Sequence, residues 1–177
     1  MPNWLEPTRQ EFKRYRLLAE RSFSQVNDAE FFRASDAESN SIAIIAKHVG
    51  GNLRSRWTNF LTSDGEKTDR DRDSEFVAQA DRQEILRIWD RGWSAVIGTL
   101  ATLQPPDLER TVTIRGEPHT VPQALQRSLS HTAYHVGQIV TLARQFRGTD
   151  WQTLSVPRGG SAALLAKMRA KFNPPTC

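Results

Sequence analysis

The sequence predicts an all-α fold: a four-helix bundle with a small β-hairpin before the fourth helix and a short helix near the C-terminal end. Four segments of about 20 residues repeat apolar residues at three- and four-residue steps, which is typical of amphipathic helices. Such helices span about 30 Å, the length of a small bundle. The chain of 177 residues suits one domain over residues 1–177, with 151–177 as a basic tail that packs on the bundle or extends from it.

The first two long helices are predicted in the N-terminal third of the chain. Pro7 suits a first helical turn, and apolar residues recur from there to Val26, so the first helix is predicted over 7–26. One further turn is predicted in the segment NDAEFFRAS. The second long helix is predicted in SIAIIAKHVGGNLRSRWTNFL, with Trp57 and Phe60 on its core stripe. The candidates for its N-cap are Ser39, Asn40 and Ser41.

The third helix is predicted after a polar, charge-rich loop, TSDGEKTDRDRDSE. We expect the helix to start at Asp81, because the segment DRQE has the Asp-x-x-Glu spacing of a capping box. Trp89 and Trp93 lie on its apolar stripe and are predicted to be core residues. The segment QPPD ends it, since proline does not continue a helix.

A hairpin and the fourth long helix complete the predicted bundle. The segment RTVTIRGEPHTV alternates around a glycine-containing turn, which predicts the hairpin. The fourth helix is predicted from a capping box of Thr120 and Gln123 to Arg147, with Gly148 as its end. The segment SVPRGGSAALLAKMRAKF predicts a glycine-broken loop and a short basic helix.

Two adjacent glycines, Gly50 and Gly51, stand inside the second long helix. Each costs roughly 1 kcal/mol relative to alanine in a helix interior. One interpretation is the close approach of a neighbouring helix or a ligand, which needs the missing side chains. A simple kink is the other, and the residues alone do not choose between them.

The charge distribution argues against a nucleic-acid-binding protein. The net charge is +4, but 20 of the 24 basic residues lie in 1–150 together with all 20 acidic residues. The four basic residues of the tail are spread too thinly for the dense basic face that nucleic acid requires. They are Arg158, Lys167, Arg169 and Lys171.

The cellular setting is expected to be cytoplasmic. The single cysteine, Cys177, allows no disulfide within the chain, which fits a reducing compartment. The N-terminal segment has no apolar stretch of signal-peptide length, and no run approaches the 18 apolar residues of a membrane span. We therefore expect a soluble intracellular protein with no membrane partner.

Two of the four histidines, His131 and His135, lie four residues apart in the fourth helix. At 100° per residue they share one side of the helix, and an inward-facing pair makes a poor core because each imidazole needs a hydrogen-bond partner. The i, i+4 spacing instead suits two ligands of one metal ion. Thr132 stands where a His-Glu-x-x-His metalloprotease has its glutamate, so protease chemistry of that type is not expected.

A third metal ligand has to come from another helix. His48 in the second long helix is the candidate, on the flank of its apolar stripe where a site is open to solvent. His119 lies on the predicted hairpin and is a candidate for the second coordination sphere. The pairing of the helices is not visible in the sequence.

The segments SIAIIAKHVGGNLRSRWTNFL and VTIRGEPHTVPQALQRSLSHTAYHVGQIVTLAR resemble the DinB-like, or YfiT-like, superfamily over residues 1 to about 165. The resemblance lies in a histidine of the second long helix and a His-x-x-x-His motif in the fourth. It implies a four-helix bundle with a long crossover, often a homodimer, whose three histidines bind a divalent metal ion, commonly zinc or nickel. The corresponding ligands here are His48, His131 and His135.

Three functions stay open at this level. A three-imidazole site leaves the metal its full charge, which activates either a bound water for hydrolysis or a bound low-molecular-weight thiol for transfer to a small-molecule substrate. Asn52 and Tyr134 are, like His119, candidates for the pocket or the second coordination sphere. Asn52 shares the side of His48 and can donate a hydrogen bond, while Tyr134 lies between the other two ligands on a different side of their helix. No general base is evident, which favours S-transfer slightly over hydrolysis. Binding of metal or small molecule without turnover is the third possibility.

Overall fold

The computed structural model describes residues 5–77 and 81–172, and these residues are mostly helical. The predicted domain, residues 1–177, extends beyond these ranges, and Cys177 lies outside them. The helices are α1 (Leu5–Phe23), α2 (Asp28–Phe32), α3 (Ile42–Trp57), α4 (Arg82–Thr102), α5 (Val121–Arg147) and α6 (Ser161–Phe172). The strands of the predicted hairpin are β1 (Thr111–Ile114) and β2 (Glu117–Thr120).

The four long helices, α1, α3, α4 and α5, share one hydrophobic core. Helix α3 packs along α4, α1 packs against α5, and α3 also contacts α5. The rings of Phe12 and Trp57 meet edge-to-face with centroids 5.3 Å apart, which ties α1 to α3. Trp57, Trp89 and Trp93 are each at most 1% exposed, which confirms their prediction as core residues.

The helix caps follow the sequence in part. Ser41 caps α3 by accepting a hydrogen bond from the backbone N–H of Ile44, and Thr120 and Gln123 form the predicted capping box of α5. Asp81 caps α4, but it accepts from the N–H of Gln83, and Glu84 points to arginines on the next turns instead of completing a box. The Glu84 carboxylate pairs with Arg87 at 2.8 Å and with Arg91 at 3.1 Å, so it is turned away from the N-terminus of the helix.

Helix α3 ends three residues earlier than the apolar stripe suggests. Asn59 has a φ of +50°, a left-handed conformation that asparagine tolerates, and it turns the chain out of the helix. Phe60 still reaches the core, because its ring stacks on Trp57 with centroids 5.1 Å apart. Its apolar position therefore reflects burial and not helical periodicity.

Glycines bring α3 and α4 into close backbone contact. A Cβ on Gly50 would lie 2.7 Å from the carbonyl oxygen of Ile88, and a Cβ on Gly92 would overlap the carbonyl oxygen of Gly50. For Gly50, the close approach of a neighbouring helix is therefore the correct interpretation. His48 lies two residues before Gly50, so this close contact holds the part of α3 that carries His48 against α4.

We predict that Gly92→Ala destabilises the protein while Gly98→Ala, on the same helix, does not. The added methyl at Gly92 meets backbone and forces the helices apart, which costs about 1–3 kcal/mol. At Gly98 the methyl meets nothing within 4 Å, and alanine favours the helix by up to about 1 kcal/mol. Urea unfolding of the two variants checks this, and equal free energies of unfolding would contradict the packing described.

The hairpin is fastened to the loop between α3 and α4. Its turn, Arg115 and Gly116, has φ of +58° and +76°, a conformation that suits glycine at the second position. The Asp64 carboxylate accepts hydrogen bonds from both turn N–H groups at 2.8 Å and from the N–H of Glu66 at 2.6 Å. Burial raises the pKa of Asp64, but these donors outweigh it and hold the pKa well below the usual range.

The C-terminal segment contains the predicted short basic helix, α6, which buries none of its residues. Gly148, with a φ of +54°, ends α5 as predicted. Among the described residues, no helix has the length and apolar character needed to cross a membrane.

Candidate metal centre

Three histidines from two helices meet at one side of the core, and we call His48, His131 and His135 the histidine cluster. Each offers one ring nitrogen, and these nitrogens all lie within 4.8 Å of one another. The ring centroid of His48 is 5.3 Å from that of His131 and 4.9 Å from that of His135. The structure thus brings together the three residues that the sequence singled out.

The spacing of the cluster suits a small divalent ion. The Nε2 atoms of His48 and His131 are 3.3 Å apart. Two nitrogens bound to one tetrahedral ion at about 2.0–2.1 Å would be separated by about 3.3 Å. Two histidines can therefore bind one ion with little movement of their rings.

The electrostatics of the cluster keep the imidazoles of His131 and His135 neutral, as metal binding requires. Burial, with His135 and His48 nearby, lowers the pKa of His131 to about 3. Burial also lowers the pKa of His135, against a raising effect of its hydrogen bond to Gln138. Both side chains then hold a free lone pair at neutral pH.

A buried carboxylate orients His48. The Nδ1 of His48 lies 2.8 Å from Oε2 of Glu75, and the two side chains are 8% and 7% exposed. A carboxylate only accepts, so Nδ1 carries the proton and Nε2 is left with its lone pair facing the other histidines. Burial raises the pKa of Glu75, but the hydrogen bonds from His48 and Arg70 outweigh it and the pKa is lowered.

His135 is oriented in the same way and His131 is not. Oε1 of Gln138 accepts from Nδ1 of His135 at 2.8 Å, which again leaves Nε2 free. Nδ1 of His131 is buried and has no hydrogen-bond partner among the described residues. The buried stripe of α5 runs through Thr132 and Val136, so the two histidines lie at its border and are half-buried.

Glu75 comes from the charge-rich loop that sequence reasoning treated only as polar surface. A 3₁₀ turn, Asp73–Phe76, carries it, and the Lys47 ammonium donates to the carbonyl of Ser74 in that turn. Arg70 donates two hydrogen bonds to the Glu75 carboxylate, from Nε at 2.8 Å and from Nη2 at 2.9 Å, and so forms a bidentate pair. The charge-rich composition of the loop hid this one buried acid among many exposed ones.

Gly51 makes room for that carboxylate. A Cβ at this position would overlap Oε1 of Glu75. The second glycine of the pair therefore leaves space for the Glu75 carboxylate and not for a neighbouring helix. It was also the one feature of the sequence that pointed to a group in this position. Glycine at both positions places α4 on one side of α3 and the Glu75 carboxylate on the other.

A cavity of ≈ 290 Å³ opens beside His48 and His131. Asn52, on the turn of α3 after His48, lines it and is 7% exposed, so its amide is placed on the side expected. Tyr134 is 64% exposed, and its hydroxyl accepts from the side-chain amide of Gln138 at 3.2 Å. It thus supports the partner of His135 from outside the cavity.

His119, the other candidate for the second coordination sphere, does not contact the histidine cluster. Its Nδ1 donates to the carbonyl of Glu117 at 3.0 Å, and its Nε2 accepts from Arg127 at 3.1 Å. The ring therefore closes the hairpin onto α5. The carboxylate that orients a cluster histidine is Glu75, which the sequence did not single out.

Comparison with known proteins gives one match. Residues 1–160 match a family described as "Protein of unknown function (DUF1572)". Neither the curated proteins nor the solved structures contain a match to the chain. Since the matched residues include the histidine cluster and Glu75 and cover most of the chain, the protein belongs to the DUF1572 family.

Proposed function

We propose that the protein binds one divalent metal ion on the Nε2 atoms of His48, His131 and His135 and is a metal-dependent enzyme acting on a small molecule. The observation that carries the proposal is the histidine cluster, with one imidazole held by a buried carboxylate. A carboxylate–histidine pair of this kind fixes the tautomer of a metal ligand. The neutral imidazoles of His131 and His135 and the bordering cavity further support such a site.

The number of ligands favours a catalytic site over a structural one. Structural zinc sites are usually closed by four protein ligands, often cysteines, while catalytic sites keep a position open. Among the described residues, the group able to hold a metal contains three histidines and no cysteine. The cavity beside them would receive the substrate.

We propose thiol S-transfer as the reaction and metal-dependent hydrolysis as the second candidate. A divalent ion in this site would lower the pKa of a bound thiol or a bound water. Hydrolysis also needs a protein base, and the described residues that line the cavity include no aspartate or glutamate. Glu75 is engaged with His48 and Arg70, so the transfer of a low-molecular-weight thiol requires less of the side chains present. The Asn52 amide, which can donate to a substrate oxygen, is what favours hydrolysis.

The resemblance to the DinB-like superfamily supports the remaining parts of the proposal. Four long helices with a histidine in the second and His-x-x-x-His in the fourth agree with its four-helix bundle. We propose on this basis that the fold is of the DinB type, that the metal is zinc or nickel, and that the protein is a cytoplasmic homodimer. Metal or small-molecule binding without turnover is the non-catalytic alternative.

A comparison of thiol and ester substrates separates these reactions. Metal-loaded protein is assayed with glutathione, cysteine and other small thiols against 1-chloro-2,4-dinitrobenzene, and separately with p-nitrophenyl acetate in the absence of thiol. We expect thiol-dependent turnover that disappears in the His135→Ala variant. Ester hydrolysis without thiol would favour the hydrolase instead. Turnover that survives both chelation and His135→Ala would contradict any role of the metal.

A further inference from the structure

We propose that the cavity beside the histidine cluster selects small organic anions, with the anionic group of the substrate bound by Arg56. The anion is a carboxylate, sulfonate or phosphate monoester carried on an apolar body. This inference deepens the proposed function, on which it rests, by naming the substrate class of the same site.

Charge is the first observation. Within residues 5–77 and 81–172, four arginines line the cavity and no acidic side chain does: Arg56, Arg72, Arg115 and Arg127. Two carboxylates behind the wall offset part of this charge. Glu66 lies 3.2 Å from Arg56 and 3.0 Å from Arg115, and Glu117 lies 3.8 Å from Arg127. Glu66 is shared further with Arg70, so the guanidinium groups outnumber the carboxylates that face them.

Arg56 is the second observation. Its side chain is only 10% exposed, and its Nη1 is buried with no hydrogen-bond partner among the described residues. Burying a guanidinium N–H without an acceptor is costly, whereas a paired one is tolerated. Nη2 pairs with Glu66, which leaves Nη1 as a buried donor that lacks an acceptor on a side chain lining the cavity. An anion bound next to this side chain would supply the missing acceptor.

The position of Arg56 relative to the histidine cluster is the third observation. His48, Asn52 and Arg56 are spaced by four residues, so they follow one another along a single face of α3, and all three line the cavity. Arg56 stands two turns, about 12 Å, from His48 along the helix. One molecule can therefore meet the guanidinium with one end and approach the histidines with the other.

Part of the cavity wall is apolar. Trp57, Phe60, Val112 and Ile114 line it, and the indole N–H of Trp57 is already used by Ser128 at 3.0 Å. These four side chains accept a hydrocarbon body, while Asn52 and Thr113 also line the cavity and can bind a polar group. At ≈ 290 Å³ the cavity is at the small end of ligand sites, which fits an aryl or short alkyl anion.

The experiment is calorimetric titration of metal-free protein, so that an anion cannot bind to the ion itself. The probes are benzoate, phenyl phosphate and the neutral isostere benzamide, each up to about 10 mM, a range that detects millimolar affinity. The variants are Arg56→Gln and Arg127→Gln. The matched control is Arg54→Gln on the same helix, because Arg54 is 58% exposed, pairs with Asp69 and does not line the cavity.

We expect benzoate or phenyl phosphate to bind wild type and Arg54→Gln alike and at least tenfold more tightly than benzamide. Arg56→Gln should lower the affinity for the anion at least tenfold, and Arg127→Gln should lower it a few-fold. Should Arg56→Gln fail to fold by circular dichroism, Arg127→Gln decides, since its side chain is half exposed. Benzamide binding as tightly as the anions, no anion binding to wild type, or full anion binding in the cavity variants would overturn the proposal.

Anion binding and zinc binding are measured separately, so a failure of one proposal can be told apart from a failure of the other. Zinc stoichiometry is measured on the same samples, and Arg56→Gln should keep it. Zinc binding without anion selectivity overturns only the anion site. Anion selectivity without zinc binding overturns only the proposed metal-dependent function.

Discussion

Replacing His135 or His131 with alanine should leave the protein folded and nearly unable to bind the proposed divalent metal ion. Both side chains lie at the border of the buried stripe of α5, so their loss removes a ligand and little core packing. Structural zinc sites bind with about 10–16 kcal/mol, and one ligand of three or four therefore accounts for roughly 10²- to 10⁴-fold in affinity. Competition with a chromophoric chelator measures the change.

The matched control for this prediction is His119→Ala. His119 is also a histidine of the same protein, but it is occupied by Glu117 and Arg127 and does not contact the histidine cluster. Its replacement should leave zinc affinity at the wild-type value. An equal loss in His119→Ala, or full affinity in His135→Ala, would mean that the cluster is not the metal site.

Glu75→Gln should lower the affinity for the metal ion by about 10- to 100-fold, the usual effect of losing an outer-sphere partner of a ligand histidine. The amide removes the negative charge behind His48, and its NH₂ group can face Nδ1 and favour the wrong tautomer. Arg70, only 5% exposed, keeps Glu66 but loses its bidentate partner, so the free energy of unfolding should fall by about 1–3 kcal/mol. Zinc competition and urea unfolding measure the two effects.

Asp73→Asn is the control for Glu75→Gln, because Asp73 is an exposed acid of the same 3₁₀ turn. It should change neither zinc affinity nor stability appreciably. If Glu75→Gln bound zinc as tightly as Asp73→Asn does, the carboxylate would have no part in preparing His48.

The part of the site that could be predicted from sequence is the part fixed by one helix. His131 and His135 are four residues apart in one helix, so the 100° step of the α-helix places them on the same face regardless of the tertiary structure. His48 belongs to another helix, and its pairing with α5 depends on the packing of the whole core. It was placed by position and resemblance, and the structure confirms that it lies against the pair.

The residues that were missed come from segments without periodicity. Glu75 and Asp64 lie in a loop rich in charged residues, and only tertiary contacts distinguish the ones that bind His48 and the hairpin turn. Arg115 lines the cavity from the hairpin turn, which that same loop holds through Asp64. The adjacent glycines did indicate crowding, but they could not say that Gly50 faces a helix and Gly51 a carboxylate.

The most direct test of the metal centre is a crystal structure of zinc-loaded protein with anomalous data at the zinc edge. We predict one strong anomalous peak per chain at about 2.0–2.1 Å from the Nε2 atoms of His48, His131 and His135, with Glu75 still bound to Nδ1 of His48. No peak at the histidine cluster, or a peak bound instead by Glu75 or His119, would contradict the account.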